Sequence, residues 1–600
     1  MKQRLVAVLV VLLLFGLVTA LLAVNVPARS VDQEVAKLKA TPLNNDQARH
    51  FKFIVLSDVH TPLKPPAEEP LPMQMANFQE IIAEANLLHP AFMVGTGDLV
   101  DGYATPEVLN QQWDNYLEMV ATSQQPFISV PGNHDLYDED SIKVWRQRIG
   151  EPYYSFDYGK SHFICLNSEE PQNRPDIVTR PGTLGPAQLA WLEADLKAHK
   201  KAENIFVFLH NPYFTGFHKQ SDWPAAHNLL KQYNTRAVFA GHYHEYRKCD
   251  TVDGISYVIN STSCSESGDT PELGDFRDYL LVEVEGKQVN WLVVRPGAIL
   301  PPDVMTQTIY DQVQAGRKGI TFSSQVEPYA SAKLPAAITV SVENPTTAEI
   351  NAELAWKLPS TAWKVTPASV PLKIAPGGKA TARFAMQLSD SRWTAGTLPS
   401  VTMAMPLSKT KRPITIQQWM QLASLPMECP RAVAPPKIDG NLTEWKSIRA
   451  MMIRPEETGG WSPADFFGSY RVMWDDKNLY FAAVIQDDIS MTASPTTDGA
   501  PGDLVGFGIQ GKDFRLGMID GKGVIYHETP QGYAPLKGAT IAAVRKGNST
   551  FYEVALPLAQ VFAQNPKVGE QTDLGIYASD QDAKTGADWM AGASGQVIFK

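Results

Sequence analysis

Five short stretches of this chain close on side chains that bind metal ions. "FIVLSDVH" (53–60) ends in Asp58 and His60, and "GTGDLVDG" (95–102) carries Asp98 and Asp101. "PGNHD" (131–135) carries Asn133, His134 and Asp135, "FLHNP" (208–212) carries His210, and "GHYH" (241–244) carries His242 and His244. Alone, an Asp-x-His triplet is a weak signal. Five such ends in one domain change its weight. Two divalent cations about 4 Å apart need carboxylate, amide and imidazole ligands, with one carboxylate between them. Mixed oxygen and nitrogen donors without cysteine suit manganese, iron, zinc or cobalt and do not choose among them. Glycine precedes Asp98, Asn133 and His242. It is expected to let the backbone turn sharply where a ligand must face the metal.

The elements that must carry these groups are strands. From 51 to about 298, short apolar runs ("FKFIVLSD", "AFMVGTGD", "PFISVPGN", "NIFVFLHN", "RAVFAGHY") alternate with helical periods such as "MQMANFQEIIAEANLLHP" and "PAQLAWLEADLKAHKK". That alternation predicts a layered α/β domain over 51–298. Side chains at the carboxyl ends of neighbouring strands of such a sheet converge on one crevice. After "VVRPGAILPPD" the helical period fades. Alternating strands predict a β-sandwich over 325–425. A Pro-rich linker, "ECPRAVAPPKIDG", leads to a second β-sandwich over 436–600. The expected fold class is therefore α/β followed by two all-β sandwiches, as a chain of 600 residues requires more than one domain.

Residues 1–30 stand apart. Lys2 and Arg4 precede an uncharged run from Leu5 to Val24, which reads as a cleaved secretory signal or an uncleaved membrane anchor. Either reading places the rest of the chain outside the cytoplasm, periplasmic, secreted or anchored facing outward. The net charge of −11, without a dense Lys/Arg stretch, argues against nucleic-acid binding. Four cysteines do not make a disulfide scaffold; Cys249 and Cys264 flank a hairpin turn at "VDGIS" and are either a pair or isolated buried thiols.

The ordered set D-x-H, G-D-x-x-D, G-N-H-D, His and G-H-x-H resembles the calcineurin-like metallophosphoesterase superfamily over about 51–298. The resemblance implies one metal held by Asp58, His60, Asp98 and His244. It implies a second held by Asp98, Asn133, His210 and His242, with Asp98 bridging. It further implies hydrolysis of a phosphomonoester or phosphodiester by attack of a metal-bound hydroxide, with His134 beside the scissile bond. The candidate catalytic residues are His134, Asp101 and Asp135. Each of the last two either supports a neighbouring ligand by a hydrogen bond or merely shapes a loop. Asp101 also stands where purple acid phosphatases carry a tyrosine, so a tyrosinate–iron site is not expected. Asn211 follows His210 where many relatives have a second histidine. His162, His199, His218 and His227 lie outside the motifs and read as solvent or packing residues.

In the middle segment, Trp356, Trp363 and Trp393 read as core. The last segment, with "KIDGNLTEW", "VMWDDKNLYFAAVIQDD", "GDLVGFGIQ", "FYEVALPL" and "LGIYASDQDAKTG", resembles the ninth family of carbohydrate-binding modules. There Trp474, Leu479 and Phe481 should point inward. Trp461 and Trp589, in Gly-rich loops, are the candidates for a sugar platform. Asp580 and Asp582 either hold a structural calcium or shape a loop. The reading is an extracytoplasmic, dinuclear-metal-dependent phosphoesterase acting on a phosphate ester. The last domain is a candidate contact for a glycan or envelope polymer, and the N-terminal segment for the membrane if uncleaved. The alternative is a cell-surface glycan-binding protein whose phosphoesterase domain is not catalytic.

Overall fold

The computed structural model describes residues 30–40, 42–65, 70–169, 183–216, 221–265, 271–330, 334–407, 413–455, 461–487, 503–529, 532–581 and 588–600, without the side chains of 580–590. The run Leu5–Val24, His218 and Asp582 lie outside the described residues, as do the side chains of Asp580 and Trp589. Among the described residues no helix is long and apolar enough to cross a membrane. The chain divides into two compact units, Met1–Val313 and Gln314–Lys600.

In the first unit the apolar runs become strands β1 (His50–Leu56), β2 (Met93–Thr96), β3 (Phe127–Val130), β4 (Tyr154–Tyr158), β5 (Ser161–Cys165), β6 (Asn204–Phe208), β7 (Thr235–Ala240), β8 (Arg247–Lys248), β9 (Ser256–Ile259), β10 (Tyr279–Glu285), β11 (Gln288–Arg295) and β12 (Ala298–Leu300). They build two six-stranded sheets, ordered β12-β11-β10-β1-β2-β3 and β4-β5-β6-β7-β9-β8. The inner strands of each run parallel: β1 with β2 and β2 with β3, then β5 with β6, β6 with β7 and β7 with β9. Their carboxyl ends therefore lie on one side.

The sheets face each other across a layer of phenylalanines. Phe53 of β1 stacks on Phe92 at 5.2 Å and meets Phe206 of β6 edge-on at 5.3 Å. Phe163 of β5 stacks on Phe206 at 5.2 Å. The alternate residues point outward under helices. Ile54 and Leu56 pack with Phe78 of α2 (Met73–Leu88) and with Trp113 and Tyr116 of α3 (Pro106–Val120); α1 is the helix Val31–Ala40. Val207 and Val238 pack with Leu192 of α5 (Pro186–Ala198) and Trp223 of α6 (Trp223–Leu230). α4 (Glu139–Arg148) is capped by Asp138 and Ser141 in a reciprocal pair of hydrogen bonds. Strands covered on both faces explain why the sequence shows near-continuous apolar runs rather than strict alternation.

Cys249 and Cys264 are both free, and they sit in different apolar clusters, Cys249 against Tyr257 and Cys264 beside Phe78. The hairpin between β8 and β9 forms, but it does not bring the two thiols together.

His162 is a packing residue of an unusual kind. It is fully buried, with Nδ1 2.8 Å from Asp157 Oδ1 on β4 and Nε2 2.8 Å from Asp195 Oδ2 on α5. Its ring stacks on His199 at 3.8 Å. A neutral imidazole has one N–H and cannot donate to both carboxylates. Burial disfavours the imidazolium, but Asp157 and Asp195 outweigh it and raise the His162 pKa. The Asp157 carboxyl is lowered, first by its bond to His162. The His162 contribution to stability is thus complete below 6.5 and fades as pH rises through its raised folded value. We expect His162→Gln to destabilise the first unit by about 1–2 kcal/mol near pH 6, an effect that shrinks as pH rises through the raised His162 value. Thermal melts of both proteins across this range check it; a pH-independent gap would contradict it.

In the second unit, residues 320–322, 337–343, 379–388 and 363–366 form one four-stranded sheet. Residues 369–374, 350–357, 400–405 and 414–419 form a second. A larger antiparallel assembly follows, centred on Phe466–Trp474, Asn478–Asp487 and Ser549–Pro557. Trp474, Leu479 and Phe481 lie in its core, while Tyr480 on the opposite face packs on Trp445. The buried Glu553 carboxylate accepts the N–H groups of Asp439 (3.0 Å) and Gly440 (2.6 Å) and Trp445 Nε1–H (2.8 Å), which pins the Asp-Gly turn of "KIDGNLTEW". Trp363 is buried, and Trp356 meets Phe384 edge-on at 5.6 Å.

Trp461 is not a platform. It is 4 % exposed, donates Nε1–H to Phe466 O at 3.0 Å and meets Trp393 at 5.6 Å. A Cβ on Gly396 would lie 2.7 Å from its ring. The glycines near Trp461 in the sequence suggested an open loop, but the ring is used to join the two sandwiches of this unit.

Candidate metal centre

The strand ends meet as the topology requires. Asp58 and His60 follow β1, Asp98 follows β2, Asn133, His134 and Asp135 follow β3, His210 follows β6, and His242 and His244 follow β7. Three ligand groups form, each with its donor atoms within 4.8 Å of one another: Asp58–His60–His244, Asp98–His210–His242, and His60–Asp98–His134. Asp98 links the first two. Its Oδ2 lies 3.0 Å from His210 Nε2 and 3.9 Å from His60 Nε2, while His244 Nε2 lies 3.2 Å from Asp58 Oδ1. Asp58, His60, Asp98 and His210 are buried.

Three buried atoms of this cluster, Asp58 Oδ1, Asn133 Oδ1 and His210 Nε2, have no hydrogen-bond partner among the described residues. Buried donors and acceptors are ordinarily satisfied. Orphaned atoms of ligand type, gathered around two carboxylates, fit a pair of divalent cations. The neighbouring contacts orient the rings for that task. His210 Nδ1 meets Thr96 O at 2.9 Å, which assigns the proton there and leaves the Nε2 lone pair to the centre. Asp58 Oδ2 accepts His242 N–H at 3.1 Å and Asp98 Oδ1 accepts His134 N–H at 2.8 Å, so each keeps its other oxygen for the centre.

The electrostatics are those of opposed charges held out of water. Burial raises Asp58, but His244 and His210 overcome it and bring its carboxyl to about 2. Burial likewise opposes ionisation of Asp98, which His210 and His134 hold well below the ordinary carboxylate range. Burial depresses both His60 and His242 to about 4, so they stand as neutral ligands.

The backbone is bent hard here. Asp58, His60, Asp98, His242 and His244 all adopt positive φ, between 48° and 75°. Left-handed conformations at non-glycine residues cost of order 1 kcal/mol each and gather at functional sites. The glycines serve differently from the expected turns. Gly97 does take φ +99°, and a Cβ there would also strike the His210 ring at 2.5 Å. Gly132 and Gly241 instead provide clearance: a Cβ would lie 2.3 Å from Asp98 Oδ1 and 1.8 Å from Ser57 Oγ respectively.

Asp135 and Asp101, each expected either to support a ligand or to shape a loop, have different surroundings. Asp135 is fully buried, and its carboxylate accepts Gly132 N–H at 2.8 Å, Leu99 N–H at 3.0 Å and Val100 N–H at 3.2 Å. It ties the "GDLV" turn to the "GNHD" turn and is a positioning residue. Burial, then the nearby Asp98 charge, push its carboxyl well above the ordinary value. Asp101 contributes its carbonyl, which accepts His134 Nδ1–H, while its carboxyl is exposed.

Two residues near the centre carried no assignment from the motifs. Glu169 is buried beyond β5 and accepts Asn211 Nδ2–H; its charge also favours protonated His210. The signal was available, since "ICLNSEE" is a further apolar run closing on a carboxylate. Tyr103 stands at the mouth, with its ring 4.8 Å from His134. His227 bonds Tyr257 and Asp253 and takes no part.

Residues 51–246 match the calcineurin-like phosphoesterase family, and residues 438–503 match the carbohydrate family 9 binding domain-like family. The first unit is thus similar to calcineurin-like phosphoesterases over 51–246, and the second to family 9 carbohydrate-binding domains over 438–503. The mouse serine/threonine-protein phosphatase CPPED1 is 30% identical over 200 residues, which are 30% of this chain and 62% of the mouse protein. Purple acid phosphatase 23 of Arabidopsis thaliana is 28% identical over 160 residues, 23% of this chain and 32% of that protein. This chain thus spans less than two thirds of either relative. Among solved structures, a dimetal phosphatase from Danio rerio aligns with 41% of this chain and 99% of its own, at 15% identity and a TM-score of 0.32. A family 9 carbohydrate-binding module from Caldicellulosiruptor kristjanssonii in complex with cellotriose aligns with 29% of this chain and 94% of its own, at 14% identity and a TM-score of 0.21.

Proposed function

We propose that this protein is an extracytoplasmic phosphoesterase that uses two divalent cations to hydrolyse a phosphate monoester or diester. The observation that carries this is Asp98, set between two groups of ligands in which Asp58 Oδ1, Asn133 Oδ1 and His210 Nε2 are buried without a hydrogen-bond partner among the described residues. Asp58, His60, Asp98 and His244 would hold one cation; Asp98, Asn133, His210 and His242 the other. When bound, such ions act as Lewis acids on phosphoryl oxygens and lower the pKa of water. The remaining work falls to the chain. The bond from His134 Nδ1–H to Asp101 O directs Nε2 at the centre, 4.0 Å from Asp98 Oδ2. In the imidazolium form, that Nε2–H can stabilise a phosphoryl oxygen or protonate the leaving oxygen. The Asp135 carboxylate keeps the turns bearing Asp98 and Asn133 in register.

The test is hydrolysis of aryl and alkyl phosphate mono- and diesters by the purified full-length protein with Mn2+, Zn2+, Fe2+ or Co2+, alongside elemental analysis. Absence of metal-dependent hydrolysis across this panel would overturn the proposal. His134→Ala should lower turnover of alkyl esters about 10²–10⁴-fold and of p-nitrophenyl esters much less, because the activated leaving group needs no proton. An equal loss for both would argue that His134 binds charge and does not act as the acid.

The location outside the cytoplasm rests on the apolar run Leu5–Val24. The family 9 match supports a glycan or envelope polymer as the second unit's partner. With Trp461 in the core, that binding needs other residues than the ones the glycine-rich loop suggested.

A further inference from the structure

Asn133 presents a choice that the motif does not resolve. A carboxamide has one oxygen that can bind a cation and one NH2 that cannot. Asn133 Oδ1 is buried without a hydrogen-bond partner, and Nδ2 donates to the hydroxyl of Tyr103 at 3.3 Å. Tyr103 itself is held with care. It follows Gly102, at φ +67°, where a Cβ would lie 2.0 Å from His134 O. Gly102 N–H is bound to Gln112 Oε1 at 3.0 Å. Tyr103 takes φ +45°, a strained value for an aromatic residue. Its ring packs on Tyr137 at 4.7 Å and edge-on to His134 at 4.8 Å. Tyr137 OH accepts Ala104 N–H at 3.0 Å and donates to Ala104 O at 2.8 Å, which fastens the same loop.

We infer that Tyr103 is the positioning residue that sets the amide of Asn133, so that its oxygen and not its NH2 faces the second cation. The inference rests on the metal-centre reading above. It explains why a strained, half-exposed tyrosine stands beside two motif residues without belonging to a motif. Partners that orient metal ligands typically matter tenfold or more in metal affinity.

The experiment is a double-mutant cycle on the full-length chain, read by calorimetric titration of metal-stripped protein with Mn2+, with thermal melts as a check on folding. Tyr103→Phe removes only the hydroxyl. It should weaken Mn2+ binding at the Asn133-bearing site about tenfold and leave the other site unchanged. In an Asn133→Asp background the same change should cost less than about twofold, because a carboxylate has two equivalent oxygens and needs no orienting. Equal losses in both backgrounds, or no loss beside Asn133, would overturn the inference. Failure of the unaltered protein to take up Mn2+, Zn2+ or Fe2+ at all would instead overturn the metal-centre reading, and this inference with it.

Discussion

Asp98→Asn should lower turnover by about 10³-fold or more, equivalent to about 4 kcal/mol of transition-state stabilisation, while the protein remains folded. The substitution is chosen for what it keeps. An asparagine Oδ1 can still accept His134 N–H, the 2.8 Å bond that holds the "GNHD" turn. What it loses is the charged Oδ2, 3.0 Å from His210 Nε2 and 3.9 Å from His60 Nε2, which reaches toward both ligand groups. A neutral NH2 there cannot bind a cation, and bridging ends. Elemental analysis should fall from two metals per chain to one or fewer. Retention of two metals with wild-type turnover would show that Asp98 does not bridge. A collapse of the melting temperature would show that the carboxylate serves folding first, in which case metal uptake by whatever remains folded decides the matter.

The second large effect is on stability, and it is placed at a residue that never faces substrate. Asp135→Ala leaves the N–H groups of Gly132, Leu99 and Val100 buried without an acceptor. An unsatisfied buried donor costs about 1–3 kcal/mol, so about 3–5 kcal/mol is expected in sum after partial relaxation. The melting temperature should fall by roughly 10 °C. Because these donors belong to the turns that carry Asp98 and Asn133, affinity for the metals should fall as well. Asp135→Asn should lie between, since its one oxygen can serve some of the donors while its NH2 faces others. A variant Asp135→Ala that melts within a degree or two of the parent, with full metal content, would contradict the positioning role.

Much of the site could be read in the chain because its signal is local. Each ligand terminates an apolar run, and the parallel order of those runs requires their ends to gather. The double burial of β1, β2, β6 and β7 left runs too continuous for a half-exposed strand, which is why the layered α/β class was legible. The role of Asp101 was not legible, because a carbonyl and a carboxylate of the same residue cannot be told apart in a motif. The role of Asp135 was not fully legible either, since two of its three partners are backbone groups 35 and 36 residues away. Trp461 misled for a related reason: neighbouring glycines imply an open loop, but Gly396, distant in sequence, makes the room that buries its ring.

By itself, then, the amino-acid sequence determined the donor types, their order and the strands that end in them, because these depend on residue chemistry and on hydrophobic periodicity. Only the tertiary structure showed which carboxylate lies beneath the ligand groups holding turns together, and which tyrosine stands beside the asparagine. Those assignments depend on distances of 3–4 Å between segments far apart in the chain, set when the phenylalanine layer locks one sheet against the other, and no spacing within a motif records them.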